Sequence, residues 1–281
     1  MTISASDVSK LRERTGAGLM ECKRALEACN GDLEAAVDFL RKSGLKNADK
    51  RAGRKAGAGR VASHVAADGK RGAMVLMTSE TDFVPPTDDF KALLGKLAQL
   101  AFEKRVGSAG ALLEQPLDGG TALDAVKRLT AKCGENVEVP LVCYFENAKG
   151  VVGGYIHHDN KTAGFASVTT DKSGEKVADF LKNLGMHITF AKPIALSREQ
   201  IPAEAVEREK AVYRESEEVL SKPEDKREKI VQGKLEKFFG GIALIEQPWF
   251  KDDKSSVKKM LAQELGADAK IEAFALFQVG A

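Results

Sequence analysis

The sequence predicts an α+β protein: an N-terminal three-helix module, then two related α+β core lobes with antiparallel strands, the second carrying an inserted helical hairpin of coiled-coil type. Three observations carry this. Helical apolar spacing fills the first forty-odd residues, strand-like apolar runs alternate with amphipathic helices from Val61 onward, and two highly charged helical arms flank Lys222-Pro223. The boundaries that follow are 1–45 for the helical module, 46–60 for a basic linker and 61–140 for the first lobe. Residues 141–201 with 244–281 form the second lobe, and 202–243 the hairpin.

In order along the chain, Ser4 or Ser6 caps a first helix that runs through Arg14, with Val8 and Leu11 inward. Thr15-Gly16-Ala17-Gly18 breaks it. A second helix covers about Leu19 to Cys29, with Cys22, Ala25 and Leu26 at helical spacing. Asn30-Gly31 stops that helix, and Asp32 caps a third whose inward residues are Leu33, Val37 and Leu40 and whose end is Ser43-Gly44. The linker holds Lys46, Lys50, Arg51, Arg54, Lys55 and Arg60 without a large apolar residue to bury. Val61–Ala66 and Ala73–Thr78 read as strands around a turn at Asp68-Gly69. Asp88 or Asp89 opens a helix with Phe90, Leu93, Leu94, Leu97 and Ala101 in one stripe, and another helix covers about Thr121–Lys132. A strand pair follows at Val137–Phe145 and Val151–His157, joined by Asn147-Ala148-Lys149-Gly150. Gly164–Thr170 and the helix bearing Phe180, Leu181, Leu184 and Ile188 repeat the strand-then-helix order of the first lobe.

The first hairpin arm places Val206, Val212 or Tyr213, and Val219 or Leu220 about seven residues apart. Pro223-Glu224-Asp225 starts the second arm, with acids at the positive helix end, and Val231, Leu235, Phe238 and Ile242 return the apolar seam. A last helix at 256–265 and a strand at Ile271–Val279 complete the second lobe.

Composition bounds the function. With 281 residues, 43% hydrophobic, 30% charged and a net charge of +2, the chain supports a real core and lacks the basic surplus of a nucleic-acid coat. No apolar run is long enough for a bilayer, and Met1-Thr2-Ile3-Ser4 is not a signal peptide, so a cytoplasmic location is expected. Cys22, Cys29, Cys133 and Cys143 lack metal-site spacing and read as reduced, mainly buried thiols. Gly16-Ala17-Gly18 with Lys23 is not a phosphate loop, since no strand precedes it and the Gly-Lys-Ser/Thr ending is missing. His64, His157, His158 and His187 have no carboxylate or thiol partners at ligand spacing, and His187 reads as a hydrogen-bonded core histidine. No catalytic residue, metal site or cofactor is expected.

The most informative stretch is residues 73–86. An apolar strand ends in Thr81-Asp82-Phe83-Val84, just before Pro85-Pro86, which cannot continue a sheet. An aromatic there is either ordinary core or an anchor for a partner's pocket.

Three segments together resemble the bacterial elongation factor Ts family, the guanine-nucleotide exchange factors of elongation factor Tu. They are the run from Leu11 through Thr15-Gly16-Ala17-Gly18 and Met20-Glu21-Cys22-Lys23 to Leu26, with Asn30-Gly31-Asp32 behind it; Thr81-Asp82-Phe83-Val84; and Lys234 to Phe239 followed by Gln247-Pro248. The resemblance spans essentially the whole chain. It implies a regulator without bond chemistry that binds the GDP-bound and nucleotide-free forms of elongation factor Tu. Its UBA-like helical module would dock on the partner's G domain, with Met20 and Lys23 at contact positions. Thr81, Asp82, Phe83 and Val84 match the exchange element, in which the aromatic wedges into the G domain and the acid disturbs the Mg²⁺ region. His157 and Phe250 match further partner contacts, although Met20, Trp249 and Phe250 also fit a core role. The hairpin implies association of copies, as a homodimer or 2:2 complex, or else it braces a one-to-one complex. No membrane contact and no direct nucleic-acid binding are expected.

Two departures stand out. Pro85-Pro86 replaces more flexible residues, and contacts from the C-terminal helical module of some relatives are not expected here. The alternative from another class is an RNA-binding protein that uses the basic linker and the adjacent lobe, although that linker lacks aromatics for base stacking.

Overall fold

The structure is a computed structural model that describes residues 3–49, 51 and 53–281. The chain divides into two compact units. One comprises Met1–His64, Ala73–Tyr144 and Gln278–Ala281, the other Val65–Gly72 and Phe145–Phe277. Helices and antiparallel strands are mixed, as an α+β class requires. No helix among the described residues is long and apolar enough to cross a membrane.

The first unit begins with α1 (Ala5–Thr15), α2 (Leu19–Ala28) and α3 (Leu33–Asp49). Of the two candidate caps, Ser4 caps α1: its hydroxyl accepts the Asp7 N–H at 3.1 Å. Gly16, at φ 67°, ends α1 in the left-handed conformation that glycine adopts freely. Asp32 Oδ1 accepts the N–H groups of Glu34 and Ala35 and so starts α3. Val8, Leu11, Cys22, Ala25, Leu26 and Ala36 form the buried centre, with Leu33, Val37 and Leu40 packed against it.

The expected stop at Ser43-Gly44 is corrected, because α3 continues through both to Asp49. One internal glycine costs only about 1 kcal/mol relative to alanine, and Leu45, Lys46 and Ala48 favour continuation. Residues 46–49 of the expected linker are therefore helical, while Lys50 and Ala52 lie outside the described residues.

Next come β1 (Ala58–Val65), β2 (Arg71–Ser79), α4 (Asp88–Lys104), α5 (Ala109–Leu113), the short antiparallel pair β3 (Pro116–Leu117) and β4 (Gly120–Thr121), α6 (Ala122–Cys133) and β5 (Val137–Glu146). The sheet order is β1-β2-β5. Central β2 is buried from Gly72 to Ser79, which explains its unbroken apolar run. Its side chains and those of β5 share a core with Phe90, Leu93, Leu94 and Leu97 of α4 and Val126 and Leu129 of α6.

The second unit continues with β6 (Gly150–Ile156), β7 (Thr162–Thr169), α7 (Glu175–Ala191), α8 (Ala203–Glu215), α9 (Glu217–Leu220) and α10 (Glu224–Ile242). It ends with β8 (Pro248–Trp249), β9 (Asp252–Ser256), α11 (Val257–Leu265) and β10 (Lys270–Gln278). Its sheet runs β10-β7-β6, so the last strand returns beside β7. The expected pairing of 137–145 with 151–157 is corrected: β5 joins β2, whereas β6 forms its hairpin with β7 in another sheet. Val137, Val139 and Val142 belong to the first unit's core, and that burial decides the partner of β5.

Helix α7 meets β6 and β7 at backbone distance. A Cβ at Gly164 would lie 2.4 Å from the Gly185 carbonyl oxygen, and one at Gly185 2.4 Å from the Tyr155 nitrogen. Only glycine allows that approach. The internal echo in the sequence has a structural counterpart, since central strands β2 and β7 each lead to a helix of 17 residues.

Two details of the hairpin differ from expectation. The first arm breaks at Ser216, whose hydroxyl donates to the Tyr213 carbonyl at 2.7 Å and competes with helix bonding. The seam uses Tyr213 and Val219, leaving Val212 and Leu220 exposed, and Phe239 is buried while Phe238 packs at its edge. Arg198 ties the root of the hairpin through ion pairs to Glu236 and Glu246.

Candidate functional site

In the first unit, β2 delivers the chain to Ser79 at the end of the sheet, and Thr87 starts α4 eight residues later by accepting the Phe90 N–H. The intervening loop is pinned at both ends. Glu135, just beyond α6, accepts the Thr81 N–H at 2.9 Å and the Thr81 hydroxyl at 2.5 Å, one on each carboxylate oxygen. Neighbouring Glu80 accepts the Asn136 N–H at 2.7 Å and lies 3.6 Å from the Arg54 guanidinium. At the far end the Val84 side chain enters the core, and its carbonyl accepts both the N–H and the hydroxyl of Thr87. Between the anchors, Asp82 is exposed and Phe83 is 82% exposed. Phe83 is therefore not part of the core, and its ring faces solvent. Pro85 is buried and Pro86 exposed, so the prolines stiffen the descent from Val84 into α4.

Met20 and Lys23 stand one turn apart on α2. Met20 is 60% exposed and outside the helical core. Lys23 is exposed and pairs loosely with Glu27 at 3.9 Å. Among the described residues no hydrogen bond, ion pair or ring contact joins this pair to residues 81–84. A cleft of about 450 Å³ between the helical module and α6 is lined by Arg14, Arg24, Arg51, Arg128 and Lys132 around Val37 and Leu40, but by none of these site residues.

The second unit holds His157 and Phe250. His157 sits at the β6–β7 turn, where its N–H donates to the Thr162 carbonyl and its Nδ1 lies 3.2 Å from the Tyr155 hydroxyl. The ring is half-buried against exposed His158 at 4.2 Å. The Trp249–Phe250 pair splits: Trp249 is core, while Phe250 is half-buried beside an open cleft of about 480 Å³ that Phe190, 77% exposed, also lines. His187 is fully enclosed and hydrogen-bonded, and burial lowers its pKa below the ordinary 6.5 against an opposing bond to Gln247.

Sequence reasoning passed over Glu135 and gave Gln247 no role beyond its place in the resemblance; the two act across separations of 54 and 60 residues. Their only local signals are a charged residue after helix-ending Gly134 and an amide before Pro248. Among the described residues no cluster of three His, Cys, Asp or Glu side chains suits a metal ion, and all four cysteines are free thiols.

Comparison with known proteins bears on this arrangement. A family model described as Elongation factor TS matches residues 80–281, and one described as UBA/TS-N domain matches residues 17–40. The proteins named Elongation factor Ts from Chlorobium chlorochromatii and Prosthecochloris aestuarii are 40% and 36% identical over 285 and 286 residues, covering 99% of each chain. The one from Alkalilimnicola ehrlichii is 40% identical over 280 residues, covering 100% of this chain and 93% of its own. Matches that run through both the helical module and the loop of Phe83 leave one assignment: the chain belongs to the elongation factor Ts family of translation elongation factors.

Proposed function

We propose that the protein is a guanine-nucleotide exchange factor for elongation factor Tu, working in the cytoplasm without bond chemistry of its own. The observation that carries this reading is Phe83, held almost wholly in solvent on a loop fixed at both ends. An aromatic so placed contributes little to its own fold and suits insertion into a partner's pocket. Asp82 beside it brings a carboxylate to the same place, where it disturbs the Mg²⁺ that neutralises the nucleotide phosphates. Met20 and Lys23 dock the helical module on the G domain, and His157 and Phe250 make separate contacts with the partner.

Exchange then follows from linkage. A protein that binds the nucleotide-free partner more tightly than the GDP form weakens GDP by the same factor, and GTP entering the emptied site weakens the exchange factor in turn. Release of a fluorescent GDP analogue from purified elongation factor Tu tests this. Acceleration by sub-stoichiometric protein is expected, and an unchanged release rate at excess protein refutes it. For the hairpin, exposed Val212 and Leu220 favour association of copies. Sedimentation of wild type against Val212→Glu and Leu220→Glu tests that role, and a monomeric wild type refutes it.

A further inference from the structure

The ring of His187 is held by bonds that select one neutral tautomer. It lies on α7, 0% exposed, stacked on Trp249 at 5.3 Å and 12°. The backbone N–H of Phe250 points at Nδ1 from 3.3 Å. An amide N–H only donates, so Nδ1 is the unprotonated acceptor and the ring proton sits on Nε2. Nε2 then donates to Gln247 Oε1 at 3.0 Å. The Gln247 amide is oriented to match, since its NH₂ donates to the carbonyls of Ala191 at 3.1 Å and Gly241 at 2.8 Å. Flipping that amide would set NH₂ against the ring N–H and a carbonyl oxygen against two carbonyls. Every group in the set has a partner only in this arrangement.

The same helix also steadies the outer side of the turn. Asn183, one turn before His187, accepts from Lys251 Nζ at 2.7 Å, and that ammonium lies 5.5 Å from the Phe250 ring centroid. The Phe250 amide is thus bonded to α7 through His187, and the side chain of the next residue, Lys251, through Asn183.

We propose that His187 is a positioning residue for partner binding. Its Nε2-protonated ring, locked by Gln247, holds segment 247–250 so that Phe250 is presented in its half-exposed pose. This rests on the reading of Phe250 as a contact with elongation factor Tu. The role belongs to one ring atom, Nδ1, and the two atoms can be separated by substitution. His187→Asn puts an acceptor oxygen near Nδ1 and gives up Gln247. His187→Gln puts an NH₂ near Nε2 and gives up the Phe250 amide.

The test measures Phe250 amide hydrogen exchange and affinity for nucleotide-free elongation factor Tu on full-length wild type, both variants and Phe250→Ala. His187→Gln is expected to lose the Phe250 protection and weaken binding about threefold to tenfold, the size of one intramolecular hydrogen bond. His187→Asn, the conservative variant for that bond, is expected to restore both to within about twofold. In a Phe250→Ala background His187→Gln should weaken binding no further. Equal losses in the two variants, or retained Phe250 protection in His187→Gln, overturn the proposal. So does a wild-type ¹⁵N spectrum that puts the ring proton on Nδ1, a measurement that needs no variant to fold. An unchanged affinity in Phe250→Ala, with the protection contrast intact, instead overturns the reading of Phe250 as a contact.

Discussion

Replacing Glu135 by alanine removes the hold on Thr81 while leaving Phe83 itself in place. Two hydrogen bonds vanish, from the Thr81 N–H at 2.9 Å and its hydroxyl at 2.5 Å, both ending on a carboxylate. Bonds to a charged group contribute ~1.5–3 kcal/mol each when shielded. Thr81 is exposed and Glu135 only half-buried, so solvent screening reduces the two together to ~1 kcal/mol. Losing that amount shifts the ratio of pinned to unpinned loop about fivefold, and a partner that binds only the pinned form loses affinity by up to that factor. We therefore expect kcat/KM for GDP release to fall about twofold to fivefold, with unfolding free energy changed by less than about 1 kcal/mol. Stopped-flow release of fluorescent GDP gives the rate, and thermal unfolding gives the control. Because Glu135 acts through the loop that carries both Asp82 and Phe83, the substitution should add nothing in an Asp82→Ala/Phe83→Ala background. An undiminished rate in Glu135→Ala, or a further loss in that background, would refute the argument that this carboxylate orders the loop.

Phe83→Ala should leave thermal unfolding within about 0.5 kcal/mol of wild type, because the ring is already in water. GDP release should nevertheless slow about tenfold to hundredfold, as expected from ~1.5–3 kcal/mol of lost burial in the complex; equal rates refute the wedge. Gly164→Ala drives a methyl to 2.4 Å from the Gly185 carbonyl and should destabilise by ~1–3 kcal/mol in a denaturant titration, whereas an unchanged midpoint refutes the close approach. His187 is held neutral with its pKa below 6.5, so the unfolded chain takes up a proton first. Stability is complete above about pH 6.5 and declines as pH falls through the folded pKa, with a slope of at most ~1.4 kcal/mol per pH unit. His187→Asn and His187→Gln should flatten that slope between pH 7 and 5.5, and an identical slope in both refutes the assignment. Burial pushes the Cys143 thiol up to about 12, so a thiol reagent at pH 8 should modify it only on unfolding; rapid native labelling would refute its enclosure.

What could be read from the chain was what is local in it. Ser4, Asp32 and Thr121 announce helix starts because a cap bonds to atoms two or three residues away, and the acids after Pro223 because they meet the positive end of the helix. The stripes of α4 and α7 follow from one apolar face each. Illegible features depend on distant partners. The Val-rich run of β5 fits either neighbour by pattern, and only the core it enters selects β2. Gly44 resembles a helix stop until the residues beyond it are weighed, and Ser216 breaks an arm whose seven-residue spacing continues across it. At the candidate site, the Asp-Phe-Val segment stood out in sequence. Which way Phe83 faces depends on Val84 and Pro85 turning inward, and its fixity depends on Glu135, which is far away in the chain.

The stacking around His187 has an optical consequence. Trp249 is the chain's single tryptophan, and it stacks with Phe180 at 5.7 Å and with His187 at 5.3 Å, one residue before Phe250. All indole emission from the free protein therefore originates beside the Phe250 turn, and none from the loop of Phe83. A cationic imidazole stacked on an indole quenches it more strongly than a neutral one, so the protein carries an intrinsic fluorophore whose brightness follows one histidine. Acid titration of that emission would read the protonation of His187 without a label, in the same sample whose unfolding is being measured.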